Sequence, residues 1–210
     1  MDRRLGETGY KQTAFGIIPR SKLIPLEVEG IKRAWDFVVK KNEKKEGMFT
    51  SYFLREVHRE GFGWIFPDMG GKFRTIDVSV SHHTPPKSYL VPQLMDDFLK
   101  DVQVRMESLS KVGDESFIDE LITLLAWAHH RFLWVHPFQD YNGRIGRILN
   151  NIILLSIDFP PIELKVETKS GRKAYVEALQ SADAGNFSAL ETIIRRSLNE
   201  AAEKMKMFFK

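Results

Sequence analysis

The chain reads as mainly α-helical with one small β element, and three observations predict this. From Leu26 onward, apolar residues recur at spacings of three and four over most of the sequence, the period of a helix with one face turned to a core. One short stretch alternates instead, with Ile76, Val78 and Val80 separated by Asp77, Ser79 and Ser81, which is the period of a strand. Glycine and proline gather mainly between the periodic segments, most densely over residues 61–86, where they mark turns.

The first 25 residues carry Gly6, Gly9, Gly16, Pro19 and Pro25 without a periodic apolar pattern, so they are expected to form an irregular arm preceding one folded domain over 26–210. Val28, Ile31, Ala34, Trp35 and Val38 then predict a first helix from Leu26 to Lys40, closed by the solvated charge run KKNEKKEG. Thr50 is placed to cap a second helix bearing Tyr52, Phe53, Val57 and His58. A hairpin or extended flap is expected within residues 61–86. Pro92 suits the first turn of a helix presenting Leu94, Met95, Phe98, Leu99 and Val102. Phe117, Ile118, Leu121, Leu125, Ala128 and Phe132 continue at helical spacing. The helix that follows, over 144–157, is apolar nearly all round and belongs at the centre of the core. Two last helices are expected over 171–184 and 187–209, broken by Gly185 and Asn186.

The 210 residues, 43% hydrophobic and 28% charged, fit a soluble globular domain with short extensions. The net charge of +3 is spread along the chain and does not point to nucleic acid. With no cysteine, disulfides, thiolate metal sites and cysteine nucleophiles are excluded. The start lacks the apolar run of a leader, and the apolar stretch around Ile152 to Leu155 is too short to span a bilayer. A cytoplasmic location without membrane association is expected.

Residues 136–147, HPFQDYNGRIGR, concentrate the chemistry. Asn142 and Gly143 stand just before the apolar helix, whose first N–H groups and positive dipole end would cradle an anion. Arg144 and Arg147 are three apart, hence on one helix face, and each fork can grip phosphate oxygens. Two arginines imply more than one phosphate. Asp140, the single acid of the stretch, is a hard oxygen ligand suited to magnesium beside phosphates. His136 is near neutrality an acceptor for a hydroxyl proton. Together they predict phosphoryl-type transfer to an alcohol.

The stretch resembles the Fic signature, H-x-F-x-[DE]-G-N-G-R-x-x-R, at His136, Phe138, Asp140, Asn142, Gly143, Arg144 and Arg147, with Tyr141 where the pattern has glycine. The resemblance extends over about residues 26–200, through the segment around Leu54 to His58, GGKFR, the Pro85-Pro86 pair and AYVEALQSADAGN. It implies a Fic-type helical bundle with a small β-hairpin flap, and magnesium-dependent transfer of AMP from ATP to a Ser, Thr or Tyr hydroxyl of a protein. His136 would be the base, Asp140 the magnesium ligand, and Asn142 with the Gly143 backbone the phosphate contacts. Arg144 and Arg147 would fix the β- and γ-phosphates and the departing pyrophosphate, while Phe138 anchors the loop. The flap between Thr75 and Ser81 would pair with the target protein by strand addition. Tyr175, Leu179 and Asp183, at spacing four, would border the adenine. The residues also admit a kinase-like phosphotransferase of the same family, or a nucleotide-responsive binding module without chemistry.

The inhibitory pattern found in many Fic proteins, [ST]-x-x-x-E-[GN], has no match: Glu29-Gly30 follows Pro25 by four, and Glu46-Gly47 follows Asn42. Either a separate antitoxin-like protein supplies the glutamate that pairs with Arg147, or the enzyme is not restrained in that way. His129 and His130, being adjacent on a helix, point to different faces, cannot share a metal and read as packing or surface residues. His58 reads as structural, and His82 and His83 as solvated flap-tip residues, with contact to a ligand the lesser alternative.

Overall fold

A computed structural model describes residues 9–43, 47–80, 83–166 and 168–208. The chain divides into two units, Met1–Arg74 and Thr75–Lys210.

In the first unit, strands β1 (Tyr10–Thr13) and β2 (Gly16–Pro19) form an antiparallel hairpin with Tyr10 opposite Pro19 and Thr13 opposite Gly16. Gly16 takes the positive φ, 86°, that the tight connection requires, and the Thr13 hydroxyl closes it by donating to Gly16 O and accepting from Phe15 N–H. The hairpin occupies sequence expected to be irregular. Helix α1 (Arg20–Asn42) likewise starts six residues before Leu26 and runs through Pro25, at the cost of one helical hydrogen bond. Its buried face is Leu23, Glu27, Gly30, Ala34 and Val38. Gly30 is needed there, because a Cβ would lie 2.3 Å from Gly61 O.

Helix α2 (Ser51–His58) is capped as expected, the Thr50 hydroxyl accepting from Phe53 N–H at 3.1 Å. It continues into a π-helical turn, Arg59–Gly63. His58 is fully buried and its Nδ1 accepts from Gly71 N–H at 3.0 Å, a structural role.

The second unit opens with the expected flap, but residues 75–79 form no strand. The pairing there is a single bridge between Val80 and His83, while Ser81 and His82 lie outside the described residues. Ile76 is 52% exposed while Val78 and Val80 are half-buried, so the alternation turns only its later part inward. Anchorage comes from Asp77, whose carboxylate accepts from Ser88 N–H and Lys87 Nζ, each at 2.8 Å. Lys87 holds that carboxyl down to about 2, with the Ser88 N–H adding to it. Among the described residues, the small β element predicted for the fold therefore stands at Tyr10–Pro19, and the flap holds a single bridge.

Helices α3 (Val91–Glu107), α4 (Phe117–Val135), α5 (Asn142–Ser156), α6 (Lys169–Asp183) and α7 (Ser188–Phe208) make up the rest. Helix α4 is the hub, touching α3, α5, α6 and α7. Helix α5 is buried nearly all round, as its composition predicts, from Ile145 through Leu154. Gly146 lets it lie close on α4, since a Cβ would meet Phe132, His129 and Leu133 atoms at 3.3–3.4 Å. Among the described residues no helix is long and apolar enough to cross a membrane.

Candidate active site

The motif loop is the short connection between α4 and α5, and it is held at both ends in the left-handed region. His136 ends α4 with φ 50° while its N–H still reaches Phe132 O at 3.0 Å. Pro137 follows and cannot continue the helix. Tyr141 precedes α5 with φ 67°. Positive φ at non-glycine residues concentrates at sites whose geometry is imposed by function.

Three groups hold that geometry. Phe138 is fully buried with its ring 6.4 Å from that of Phe132, the anchor expected of it. Asn142, 2% exposed, staples the loop: its Oδ1 accepts from Phe138 N–H at 2.9 Å and its Nδ2 donates to Phe138 O at 2.7 Å. Both ends of its side-chain amide thus serve the loop. Asp140 Oδ1 accepts from Tyr141 N–H at 2.8 Å.

Helix α5 begins with Arg144 and Ile145 N–H on Tyr141 O, each at 3.0 Å. The N–H groups of Asn142 and Gly143 belong to the first turn, have no intrahelical acceptor, and carry the positive end of the dipole. Tyr141 keeps the backbone shape a glycine would give and adds a ring, 7% exposed, on which the Arg144 guanidinium lies 5.0 Å from the centroid. Arg147 sits one turn on, its Nη1 3.7 Å from where a Gly143 Cβ would be. Both guanidinium groups and the amide cradle therefore belong to one helix start.

No group of three or more His, Asp or Glu side chains able to hold a metal occurs among the described residues. Magnesium bound by one carboxylate, with phosphates and waters completing its shell, needs only Asp140, so the residues present fit that ion.

The three α6 residues expected on one face are parted by the structure. Each step of four advances roughly 40° around a helix, and the drift decides the outcome. Leu179 and Asp183 line a cavity of about 150 Å³ together with Val80, His83, His130, Leu133, Trp134, Val176 and Gln180. Tyr175 instead turns into the core, 8% exposed, with its hydroxyl 2.5 Å from His129 Nε2. Burial pushes its phenol up to about 12, with the adjacent Arg147 acting against the shift.

The paired histidines of α4 do more than pack. His130 Nε2 lies 2.9 Å from Asp183 Oδ1, on the cavity wall. His83 also lines the cavity and bonds Trp134 O at 3.0 Å. His129 is fully buried, with Nδ1 3.1 Å from Gly146 O, and burial pushes its imidazole down to about 4. Spacing offers one signal for the wall, since His130, Leu133 and Trp134 stand three and four apart on α4.

Known proteins share this fold. The model of the Fic/DOC family matches residues 48–154, just over half of the chain. A protein adenylyltransferase Fic of Culex quinquefasciatus is 30% identical over 161 residues, covering 77% of this chain and 30% of the relative. The adenylyltransferase fic-1 of Caenorhabditis elegans is 36% identical over 135 residues, covering 64% and 24%. This chain thus spans less than a third of the length of either relative. A solved structure of C. elegans Fic-1 superposes with a TM-score of 0.66 at 28% identity, covering 86% of this chain and 52% of that one. BepC of Bartonella tribocorum, solved with bound AMPPNP, shares the fold at 15% identity with a TM-score of 0.68, covering 92% and 93%. With its motif loop, helix order and family match in agreement, the chain belongs to the Fic/DOC family.

Proposed function

We propose that this chain is a protein adenylyltransferase, transferring AMP from ATP to a Ser, Thr or Tyr hydroxyl of a target protein. The observation that carries the reading is the complete set of His136, Asp140, Asn142, Gly143, Arg144 and Arg147 on one strained loop and helix start. The relatives named as adenylyltransferases and the AMPPNP bound to BepC support it.

In this reading the neutral His136 imidazole takes the proton of the target hydroxyl as its oxygen attacks the α-phosphorus. A new P–O ester forms, the bond from the α-phosphorus to the bridging oxygen breaks, and pyrophosphate leaves. The Asn142 and Gly143 N–H groups and the two arginines face the charge that builds on the phosphates. Asp140 would hold magnesium, which when bound neutralises phosphate charge. The cavity of about 150 Å³ between α4, α6 and Val80 is lined mainly by apolar and aromatic side chains, and we assign it to the base, with Leu179 and Asp183 in its wall. Residues 75–80 would take the target's backbone, and an inhibitor, where one acts, would be a separate protein.

The test is incubation with magnesium and ATP labelled at the α- or the γ-phosphate, beside a His136→Ala control. Label passing from the α-position to protein, and lost in the variant, is the expected result. Transfer of γ-label alone overturns the proposal.

A further inference from the structure

We infer that His129 and Tyr175 form a positioning pair for the second motif arginine, the imidazole turning the phenol so that its oxygen lone pairs face the Arg147 guanidinium. Bond polarity decides the direction. Gly146 O can only accept, so at 3.1 Å the His129 Nδ1 must carry the hydrogen. A neutral ring protonated on Nδ1 has an acceptor at Nε2, and the Tyr175 hydroxyl 2.5 Å away must therefore donate to it. With its hydrogen committed, the phenol oxygen presents lone pairs to the Arg147 side chain beside it.

The three residues come from α4, α5 and α6, so the guanidinium is set by three helices at once. His129 is 0% exposed and Tyr175 8% exposed, so both side chains belong to the core. The imidazole also holds the Gly146 carbonyl, the residue before Arg147, fixing both the backbone and the side chain of the arginine. A long flexible side chain loses much rotamer freedom when it grips a phosphate. A phenol oxygen turned toward the fork would lower that loss, which is preorganisation of the leaving-group site.

The inference rests on the nucleotidyl-transfer reading for what Arg147 grips, namely the phosphates beyond the α-position. Calorimetry of the full chain with ATP and with AMP, both with magnesium, tests it. Tyr175→Phe keeps the ring and removes the oxygen, and should weaken ATP binding about tenfold, the worth of one charge-assisted hydrogen bond, while AMP binding stays within about twofold. His129→Gln supplies an amide oxygen near the Nε2 position and should recover most of the ATP affinity lost in His129→Leu. Equal losses for ATP and AMP in Tyr175→Phe, or no loss for either, overturn the inference, as does a His129→Gln variant as weak as His129→Leu. His129→Leu strands the Gly146 carbonyl and threatens folding, so where it fails to fold the decision falls to Tyr175→Phe, with thermal melting confirming its fold. Arg147→Ala separates the two levels. Unchanged ATP affinity there sinks the reading and the inference together, whereas a loss in Arg147→Ala without one in Tyr175→Phe sinks the inference alone.

Discussion

The Tyr141 ring centroid lies 5.0 Å from the Arg144 guanidinium carbon, on a residue whose φ of 67° is left-handed. Glycine takes that conformation freely, whereas a tyrosine there costs about 1–2 kcal/mol. The ring is 7% exposed, and truncating a buried aromatic costs about 3–5 kcal/mol. Burial therefore outweighs strain. Tyr141→Gly, which restores the Fic pattern, should lower stability by about 2 kcal/mol in urea denaturation and weaken ATP binding by loosening Arg144. A variant more stable than the parent would mean that the strain dominates.

Asn142 should be worth more to the loop than its size suggests. Its amide satisfies both the N–H and the C=O of Phe138 inside the core, and Asn142→Ala leaves both backbone groups buried without that partner. The expected loss is about 2–4 kcal/mol, since an unmade buried hydrogen bond forfeits its desolvation cost. Asn142→Asp keeps the acceptor for the N–H but sets a carboxylate against the Phe138 carbonyl, so it too should be destabilised. Urea midpoints for the two variants check this, and parental stability in Asn142→Ala would dismiss the staple.

The helices of the second unit and the motif loop are legible in the sequence because their signals are local. Apolar spacing marks α3, α4 and α5, and the order of polar types from His136 to Arg147 names the family. The illegible parts depend on partners distant in sequence. The hairpin at Tyr10–Pro19 leaves Tyr10 66% and Ile17 68% exposed, so its strands have no buried face for a pattern to reveal. Residues 76–80 show the reverse, an alternation with no neighbouring strand to use it. Tyr175 shares spacing four with Leu179 and Asp183, yet the choice between core and cavity depends on His129, which lies 46 positions away. The division of labour between His129 and His130 follows the rule that adjacent helical residues face apart. What lies on each side, a phenol for one and Asp183 for the other, is tertiary information.

His129 also predicts the shape of the acid limb of stability. Burial, opposed by the Gly146 hydrogen bond and aided by the charges of Arg147 and His130, lowers its imidazole from 6.5 to about 4. The native state therefore stays unprotonated at His129 while the unfolded state takes a proton below about pH 6.5. Stability is indifferent to this group above that pH and falls as pH drops toward about 4, by about 1.4 kcal/mol per unit. Denaturant midpoints compared at about pH 7.5 and 5 should show the decline, and His129→Gln, which removes the titrating site, should flatten it. The same slope in the variant would assign the acid sensitivity to other groups.

Two adjacent asparagines on α5 should respond to the same substitution in opposite directions. Asn151 is satisfied, its Oδ1 accepting from Ile162 N–H at 2.8 Å and its Nδ2 donating to Ile162 O at 3.1 Å. Asn150 is fully buried, and neither polar atom of its side chain has a hydrogen-bond partner among the described residues. Leucine is close to asparagine in size, so Asn150→Leu removes two desolvated polar atoms without a large change of volume. It should raise stability by about 1–3 kcal/mol, and the melting temperature by roughly 2–4 °C for each kcal/mol. Asn151→Leu abandons both Ile162 groups and should lower stability by about 2 kcal/mol. Differential scanning calorimetry of the two variants decides the point, and a destabilised Asn150→Leu would show that the buried amide has a partner, such as an ordered water, that leucine cannot replace.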